Sequence, residues 1–306
     1  MRKRLATAAL LCVVALVSRS ARAGKCSCNA QTLTVTPGFS VFQAGSQQPT
    51  ATFSIDCNGN ATYDMTMSAG SSSTYANRTM LNGLGDALNY NIYTDAVRQT
   101  VWGTTGKRIY NTTSGQNTFS DFLYLDIPGT TQDVAYSGPV YQDSVTVTLT
   151  PVLGTGGSPT SCQFTIQTTV IAECIAPSAT LAFGTYNPVT TNATSASPLD
   201  AATALLYTCT KNVAATVQLD QGLYASGGRR LSGPASNFLA YGIYTNSPRS
   251  ILWGTTIPTN TVSATSTSKK TPLGGVSGLP AYGRIPGGQD VIAGSYSDSV
   301  TATVNY

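Results

Sequence analysis

The chain has 306 residues, only 10% of them charged, a formal net charge of +4 at pH 7 and no histidine. Without histidine, the usual catalytic triads and the commonest metal ligand are excluded, so a hydrolase would need a carboxylate pair or a Ser-Lys arrangement. Gly, Ser, Thr, Asn, Tyr and Val are abundant, which favours β structure.

The first 23 residues have the pattern of a secretory signal peptide. Basic residues at positions 2–4 precede an apolar run over 5–17, and Ala-Arg-Ala ends at position 23. We therefore expect the mature chain to begin at Gly24. Cleavage removes five basic residues and no acidic one, leaving 12 basic against 13 acidic residues. The net charge then falls to −1, so no nucleic-acid partner is predicted. No later apolar run reaches the ~18 residues of a membrane helix, so we expect an exported protein.

Six cysteines follow the signal, an even number that predicts up to three disulfides in an oxidising compartment. Cys174 and Cys209 form the expected pair in the second half of the chain. In the first half Cys57 corresponds to Cys209, so either Cys26 or Cys28 bonds to it and the other is free for Cys162. The sequence leaves that choice open. A metal site at Cys26-x-Cys28 is disfavoured, because the spacing is too short for a zinc knuckle. No metal and no cofactor is predicted.

The two halves of the chain repeat one another. Segments 87–95, 101–104, 126–129 and 141–148 return in the same order as 238–246, 252–255, 284–287 and 296–303. The spacing is 151 residues between Trp102 and Trp253 and 155 between Asp143 and Asp298. A repeat of this length indicates a duplicated domain, because solenoid repeats span only ~20–50 residues.

Short runs of alternating apolar and polar residues lie between turn clusters, as in 52–57, 144–149 and 216–219. No amphipathic helical stretch of useful length follows the signal. The predicted fold is therefore all-β, with two tandem Ig-like antiparallel β-sandwich domains over 24–172 and 173–306.

A family resemblance rests mainly on the second half. The residues that carry it are Cys174, 183–188, Cys209, 230–231, 239–244, 253–254, 282–286, Gln289 and 294–300. This pattern resembles the spore coat protein U domain family, which also supplies pilins of archaic chaperone–usher pili. The first half is more divergent: residues 124–128 take the place of Gly-Arg-Ile-Pro at 283–286, and residues 39–42 take the place of Phe-Gly-Thr-Tyr at 183–186. A two-domain member resembles a tip adhesin, with an N-terminal adhesin domain (24–172) and a C-terminal pilin domain (173–306).

The expected strands differ at the end of each half. After its strand at 144–150 the first half has a further alternating run, Cys162 to Val170, whereas the second half ends in its corresponding strand. The second domain is therefore expected to lack its final strand and to expose a groove. The predicted groove residues are Leu181, Phe183, Val300, Ala302, Val304 and Tyr306.

The resemblance implies the partners of such a groove. A donor strand comes from the adjacent pilin subunit, and before assembly a periplasmic pilus chaperone supplies one, with an outer-membrane usher building the fibre. Only Gly24 and Lys25 precede Cys26, which leaves no donor extension. We therefore expect a subunit exported through the periplasm to the cell surface and located at the pilus tip.

Two Gly-flanked loops carry apolar residues without an alternating partner, Val152 and Leu153 in one and Leu84 in the other. They either fold back onto the core or project as an apolar patch. A projecting patch would attach to abiotic or host surfaces without one receptor and so support biofilm formation.

Three other functions compete with adhesion at a pilus tip. Catalysis is disfavoured because the acidic residues are scattered singly, and because Asp143 and Asp298 recur at one position ahead of a strand. A carbohydrate-binding lectin would need an aromatic pocket, and a non-pilus spore or cell coat protein would need two self-complete domains. The candidate lectin residues are Tyr63, Tyr75, Trp102, Tyr110 and Tyr124, although the repeated Trp-Gly pairs suit packing better.

Overall fold

A computed structural model describes residues 24–113, 115–129, 131–136, 140–175 and 178–306. The predicted signal peptide, 1–23, lies outside this part of the chain. The fold is all-β, as predicted, with two short 3-10 turns at Gly70–Ser72 and Pro234–Ser236. Among the described residues no helix is long and apolar enough to span a bilayer.

The first half forms one ten-stranded sheet that folds over itself as a sandwich. Its order is β1-β3-β8-β6-β5-β9-β10-β2, and β4 pairs with β7 and β9. The strands are β1 (Lys25–Ser27), β2 (Gln31–Thr34), β3 (Thr50–Asn58), β4 (Ala61–Met67), β5 (Arg78–Leu81), β6 (Ala87–Tyr93), β7 (Arg108–Thr112), β8 (Gln116–Asp126), β9 (Tyr141–Pro151) and β10 (Thr160–Thr168).

The second half has the same layers in shorter pieces, paired as β11-β13, β12-β19-β17, β18-β14-β20 and β15-β16. The strands are β11 (Cys174–Ile175), β12 (Leu199–Leu205), β13 (Thr208–Cys209), β14 (Ala214–Leu219), β15 (Arg230–Ser232), β16 (Phe238–Ala240), β17 (Gly242–Tyr244), β18 (Val262–Thr265), β19 (Leu279–Ile285) and β20 (Ala302–Asn305).

Alternation along the strands builds a separate hydrophobic core in each half. In β3, for example, Phe53 and Ile55 point inward while the residues between them face out. One buried cluster spans residues 26–170 and the other 207–285, with Ala172 packed against the second. Trp102 and Trp253 are each fully buried, and their indole N–H groups donate to the carbonyls of Met65 and Val217, both at 2.9 Å. The repeated Trp residues are therefore core residues.

Within the described ranges three disulfides connect neighbouring segments of the sheets. Cys26 bonds to Cys57 across β1 and β3, and Cys174 bonds to Cys209 across β11 and β13. Cys28 bonds to Cys162 and so attaches β10 to the segment before β2. The choice between Cys26 and Cys28 that the sequence left open depends on register, because Cys26 lies directly opposite Cys57.

Polar contacts join the two halves. Asp86 of the β5–β6 loop forms an ion pair with Lys211, whose carbonyl accepts the Tyr136 N–H at 2.8 Å. Asp133 accepts the Ser268 hydroxyl and the Lys269 N–H. These contacts hold the end of the first sandwich that carries the β5–β6 loop against the second half.

The halves differ at one edge of the sandwich. In the first half β10 lies between β9, to which it is antiparallel, and β2, to which it is parallel. In the second half β20 and the extended segment 178–187 occupy the positions of β9 and β2. No strand of the described chain lies between them.

Candidate functional site: an open groove in the second half

A groove of about 1360 Å³ replaces the missing strand. One wall is the segment 178–189 and the other is 291–302. Core side chains of the intervening strands and loops form the floor, namely Leu205, Tyr207, Leu219, Leu231, Leu239, Tyr241, Ile243, Ala281 and Ile285. An apolar floor between two extended segments suits an added β-strand with alternating apolar side chains.

Four of the six predicted groove residues line this cavity. Leu181 and Phe183 lie over β19, so close to Gly283 that a Cβ there would be only 2.6–2.7 Å from their side chains. Phe183 also meets the Tyr241 ring edge-on at 5.9 Å between centroids. Val300 and Ala302 line the opposite wall.

The structure corrects the prediction for Val304 and Tyr306. Neither is among the residues that line the groove: Val304 packs against the core of the second half and lies opposite Val217 of β14. Tyr306 is 59% exposed. The wall at 291–299 and the floor residues Leu205 and Tyr207 were not predicted, although they correspond to residues in the first half of the repeat.

A hydrogen-bonded network lies at the edge of the groove. The Tyr241 hydroxyl donates to Asp298 Oδ2 at 2.8 Å, and Asp298 Oδ1 accepts the N–H groups of Leu223 and Ser299 at 3.0 and 2.8 Å. Burial, reinforced by this hydrogen bond, raises the pKa of Tyr241. Nearby, burial lowers the pKa of Arg229, whose guanidinium donates to the carbonyl of Trp253 at 2.7 Å.

The same network recurs in the first half. The Tyr90 hydroxyl donates to Asp143 Oδ2 at 2.8 Å, and Asp143 Oδ1 accepts the N–H and hydroxyl of Ser71. Arg78, which is fully buried, donates to the carbonyl of Trp102 at 2.6 Å. Both aspartates thus accept hydrogen bonds from donors at corresponding positions, which supports a structural role for each pair at the start of the strand that follows.

The loops proposed for surface contact lie at opposite ends of the first sandwich. Leu84 belongs to the β5–β6 loop, and β5 meets the beginning of β9, where Leu81 pairs with Gln142. Val152 and Leu153 follow the end of β9, about 30 Å away for an eleven-residue strand. Leu84 therefore cannot share a patch with them and lies at the end that faces the second half, near the Asp86–Lys211 ion pair.

Leu153 is 100% exposed and Val152 is half-buried, with its N–H bonded to the carbonyl of Thr62. Leu153 therefore does not fold back onto the core. It projects from the end of the sandwich that faces away from the second half.

The aromatic residues considered for a lectin pocket do not form one. Tyr63 and Trp102 have no exposed surface and Tyr110 is 8% exposed, so all three belong to the core. Tyr75 and Tyr124 are half-buried. Within the described ranges no group of three potential metal ligands exists.

Comparison with known proteins agrees with the duplication. The profile of the Spore Coat Protein U domain matches residues 12–148 and again 160–303. Protein U of Myxococcus xanthus is 36% identical over 139 residues, 42% of this chain and 72% of Protein U.

Two solved structures align over most of the chain. The CsuC–CsuE chaperone–tip adhesion subunit pre-assembly complex from archaic chaperone–usher Csu pili of Acinetobacter baumannii aligns with a TM-score of 0.51 at 18% identity. That alignment covers 92% of this chain and 100% of that chain. The CupB6 tip adhesin of Pseudomonas aeruginosa aligns with a TM-score of 0.35 at 14% identity over 88% of this chain and 89% of that one. Since the profile matches both halves, this chain belongs to the spore coat protein U domain family.

Proposed function

We propose that this protein is the tip adhesin subunit of an archaic chaperone–usher pilus and attaches cells to surfaces during biofilm formation. Residues 24–172 act as the non-catalytic adhesin domain and residues 173–306 as the pilin domain. The groove of the pilin domain accepts a strand from the adjacent pilin subunit, after a periplasmic chaperone has occupied it and an outer-membrane usher has received the complex. The protein is then exposed at the cell surface on the pilus tip.

The observation that carries this proposal is the difference between the two halves. The first half contains β10 between β9 and β2, whereas the corresponding position in the second half is an apolar groove. An exposed apolar groove with unpaired walls is an aggregation hazard unless another chain fills it. A coat protein with two self-complete domains has no use for such a groove.

The position of Leu153 supports the adhesive role. It is fully exposed on the loop after β9, at the end of the first half that faces away from the groove-bearing half. Contact of this exposed apolar side chain with a hydrophobic surface removes it from water and is therefore favourable. Because an uncharged patch contains no specific pocket, attachment would depend on the hydrophobicity of the surface rather than on one receptor.

The test changes the loop and leaves the fold intact. Val152→Ser with Leu153→Ser should greatly reduce attachment of piliated cells to polystyrene while the amount of fibre per cell stays the same. Leu84→Ser is the matched control, because Leu84 is also exposed but lies at the opposite end of the sandwich. Full attachment by the double variant, on cells with normal fibres, would contradict the role of this loop.

A second measurement tests the groove. Without a chaperone the exported protein should aggregate or be degraded, and co-expression of the chaperone should rescue it. A monodisperse chain whose second half unfolds cooperatively without an added strand would contradict the proposed assembly.

A further inference from the structure

The chain contains an internal example of a filled groove. In the first half β10 pairs with β9 along its whole length, from Thr160 opposite Leu149 to Thr168 opposite Tyr141. On its other side, residues 164–167 pair in parallel with β2. The walls that flank β10 therefore correspond to the two walls of the groove in the second half.

Matching contacts fix the correspondence of the walls residue by residue. The Tyr90–Asp143 bond in the first half and the Tyr241–Asp298 bond in the second are both 2.8 Å long. Asp143 and Asp298 occupy the same position, so Tyr141 corresponds to Tyr296 and Val145 to Val300. The side chains opposite β10 in the first half thus identify their counterparts in the groove.

The buried side chains of β10 are an aromatic, a branched aliphatic and a small hydroxyl residue. Phe164 and Ile166 are fully buried and Thr168 is 1% exposed. They lie opposite Val145, Asp143 and Tyr141. Phe164 packs against Phe53, with 5.5 Å between ring centroids, and the Thr168 hydroxyl donates to the Val35 carbonyl at 3.3 Å.

From this we infer that the groove selects a strand of the same pattern and direction as β10. Such a strand runs antiparallel to residues 296–305 and parallel to 178–187. It places an aromatic residue opposite Val300, a branched aliphatic residue opposite Asp298 and a small hydroxyl residue opposite Tyr296. This inference rests on the proposed role of the groove as a strand acceptor and adds the register and the side-chain pattern of its ligand.

Each position has a physical reason. Leu205 of the groove floor corresponds to Phe53, because each lies four residues before the matching cysteine, Cys209 or Cys57. Since leucine is smaller than phenylalanine, a large ring opposite Val300 has an apolar neighbour and more space than Phe164 has in the first half. Opposite Asp298 the carboxylate is already hydrogen-bonded to Tyr241 and to backbone N–H groups, so an aliphatic side chain leaves no polar group without a partner. An acidic residue there would bury a second carboxylate beside Asp298 and is rejected.

The experiment grafts this strand onto the full chain. Residues 152–170 are appended directly after Tyr306, with Cys162→Ser in the appended copy, because Tyr306 corresponds to Pro151 at the end of β9. Hydrogen exchange in 178–187 and 296–305 should slow by at least about tenfold relative to the unmodified chain. The matched control carries Phe164→Asn and Ile166→Asn in the appended copy, which keeps its length and removes the two apolar side chains that would fill the groove. Equal protection by both tails, or protection by neither, would overturn the inference.

A cross-link tests the register independently of stability. Thr165 lies opposite Ser144, which corresponds to Ser299. An appended Thr165→Cys should therefore form a disulfide with Ser299→Cys and not with Ser297→Cys, as read by non-reducing peptide mapping. Bonding to position 297 alone would refute the register. If the tail protects the groove and the cross-link forms while cells with normal fibres do not attach, the adhesive function fails and this inference stands.

Discussion

Because the Tyr–Asp pair occurs in both halves, the same substitution can be compared beside the strand β10 of the first half and beside the open groove of the second. In the first half the Tyr90 hydroxyl donates to Asp143 at 2.8 Å, and both residues are 2% exposed. In the second half Tyr241 donates to Asp298 at the same distance, but Tyr241 is 8% exposed and Asp298 lies on the groove wall. Tyr→Phe removes the same hydrogen bond at both places.

The expected losses differ because water can replace the hydroxyl at only one of the two sites. Tyr90→Phe leaves a buried carboxylate short of a donor and should lower the free energy of unfolding of the first half by about 1.5–3 kcal/mol. Tyr241→Phe should lower that of the second half by about 0.5–1.5 kcal/mol, because solvent in the open groove can reach Asp298. Filling the groove with the appended strand should raise the Tyr241→Phe loss toward that of Tyr90→Phe.

Hydrogen exchange followed by mass spectrometry measures each half separately. Peptides from β6 and β9 report on Tyr90→Phe, and peptides from 239–244 and 298–305 report on Tyr241→Phe, each compared with the unmodified chain. Equal losses in the two halves while the groove is empty would refute the reasoning, as would no loss for Tyr90→Phe.

Three further predictions follow from the contacts. Cys28→Ser with Cys162→Ser opens a disulfide across 134 residues and should lower the stability of the first half by up to about 5 kcal/mol, measured by urea unfolding. The hydrogen bond from Arg284 lowers the pKa of Asp200, so its contribution is present above the unfolded value and is lost as pH falls below 3.8; Asp200→Asn should flatten that part of the pH–stability curve, and an unchanged slope would argue against the contribution. Asp133→Ala removes acceptors for Ser268 and Lys269 and should broaden the distance distribution between the halves in small-angle scattering, where an unchanged profile would contradict the role of this contact.

The sequence by itself determined the all-β fold, the duplication and the family. These depend on local patterns, since alternation with a period of two and the order of repeated motifs survive without knowledge of contacts. It also predicted a further strand after β9 in the first half, because the alternating run from Cys162 to Val170 is visible in the chain. Leu181, Phe183, Val300 and Ala302 were assigned to the groove on that basis.

Only the tertiary structure decided which residues meet. Val304 lies opposite Val217 because β20 pairs with β14, a contact between residues nearly ninety positions apart that no local pattern encodes. Cys26 rather than Cys28 reaches Cys57 because of the β1–β3 register. Leu84 and Leu153 look alike as exposed residues on Gly-flanked loops, yet the length of β9 separates them and only Leu153 projects away from the second half. Alternation specifies which face of a strand is buried, whereas strand pairing specifies which ends and edges come together.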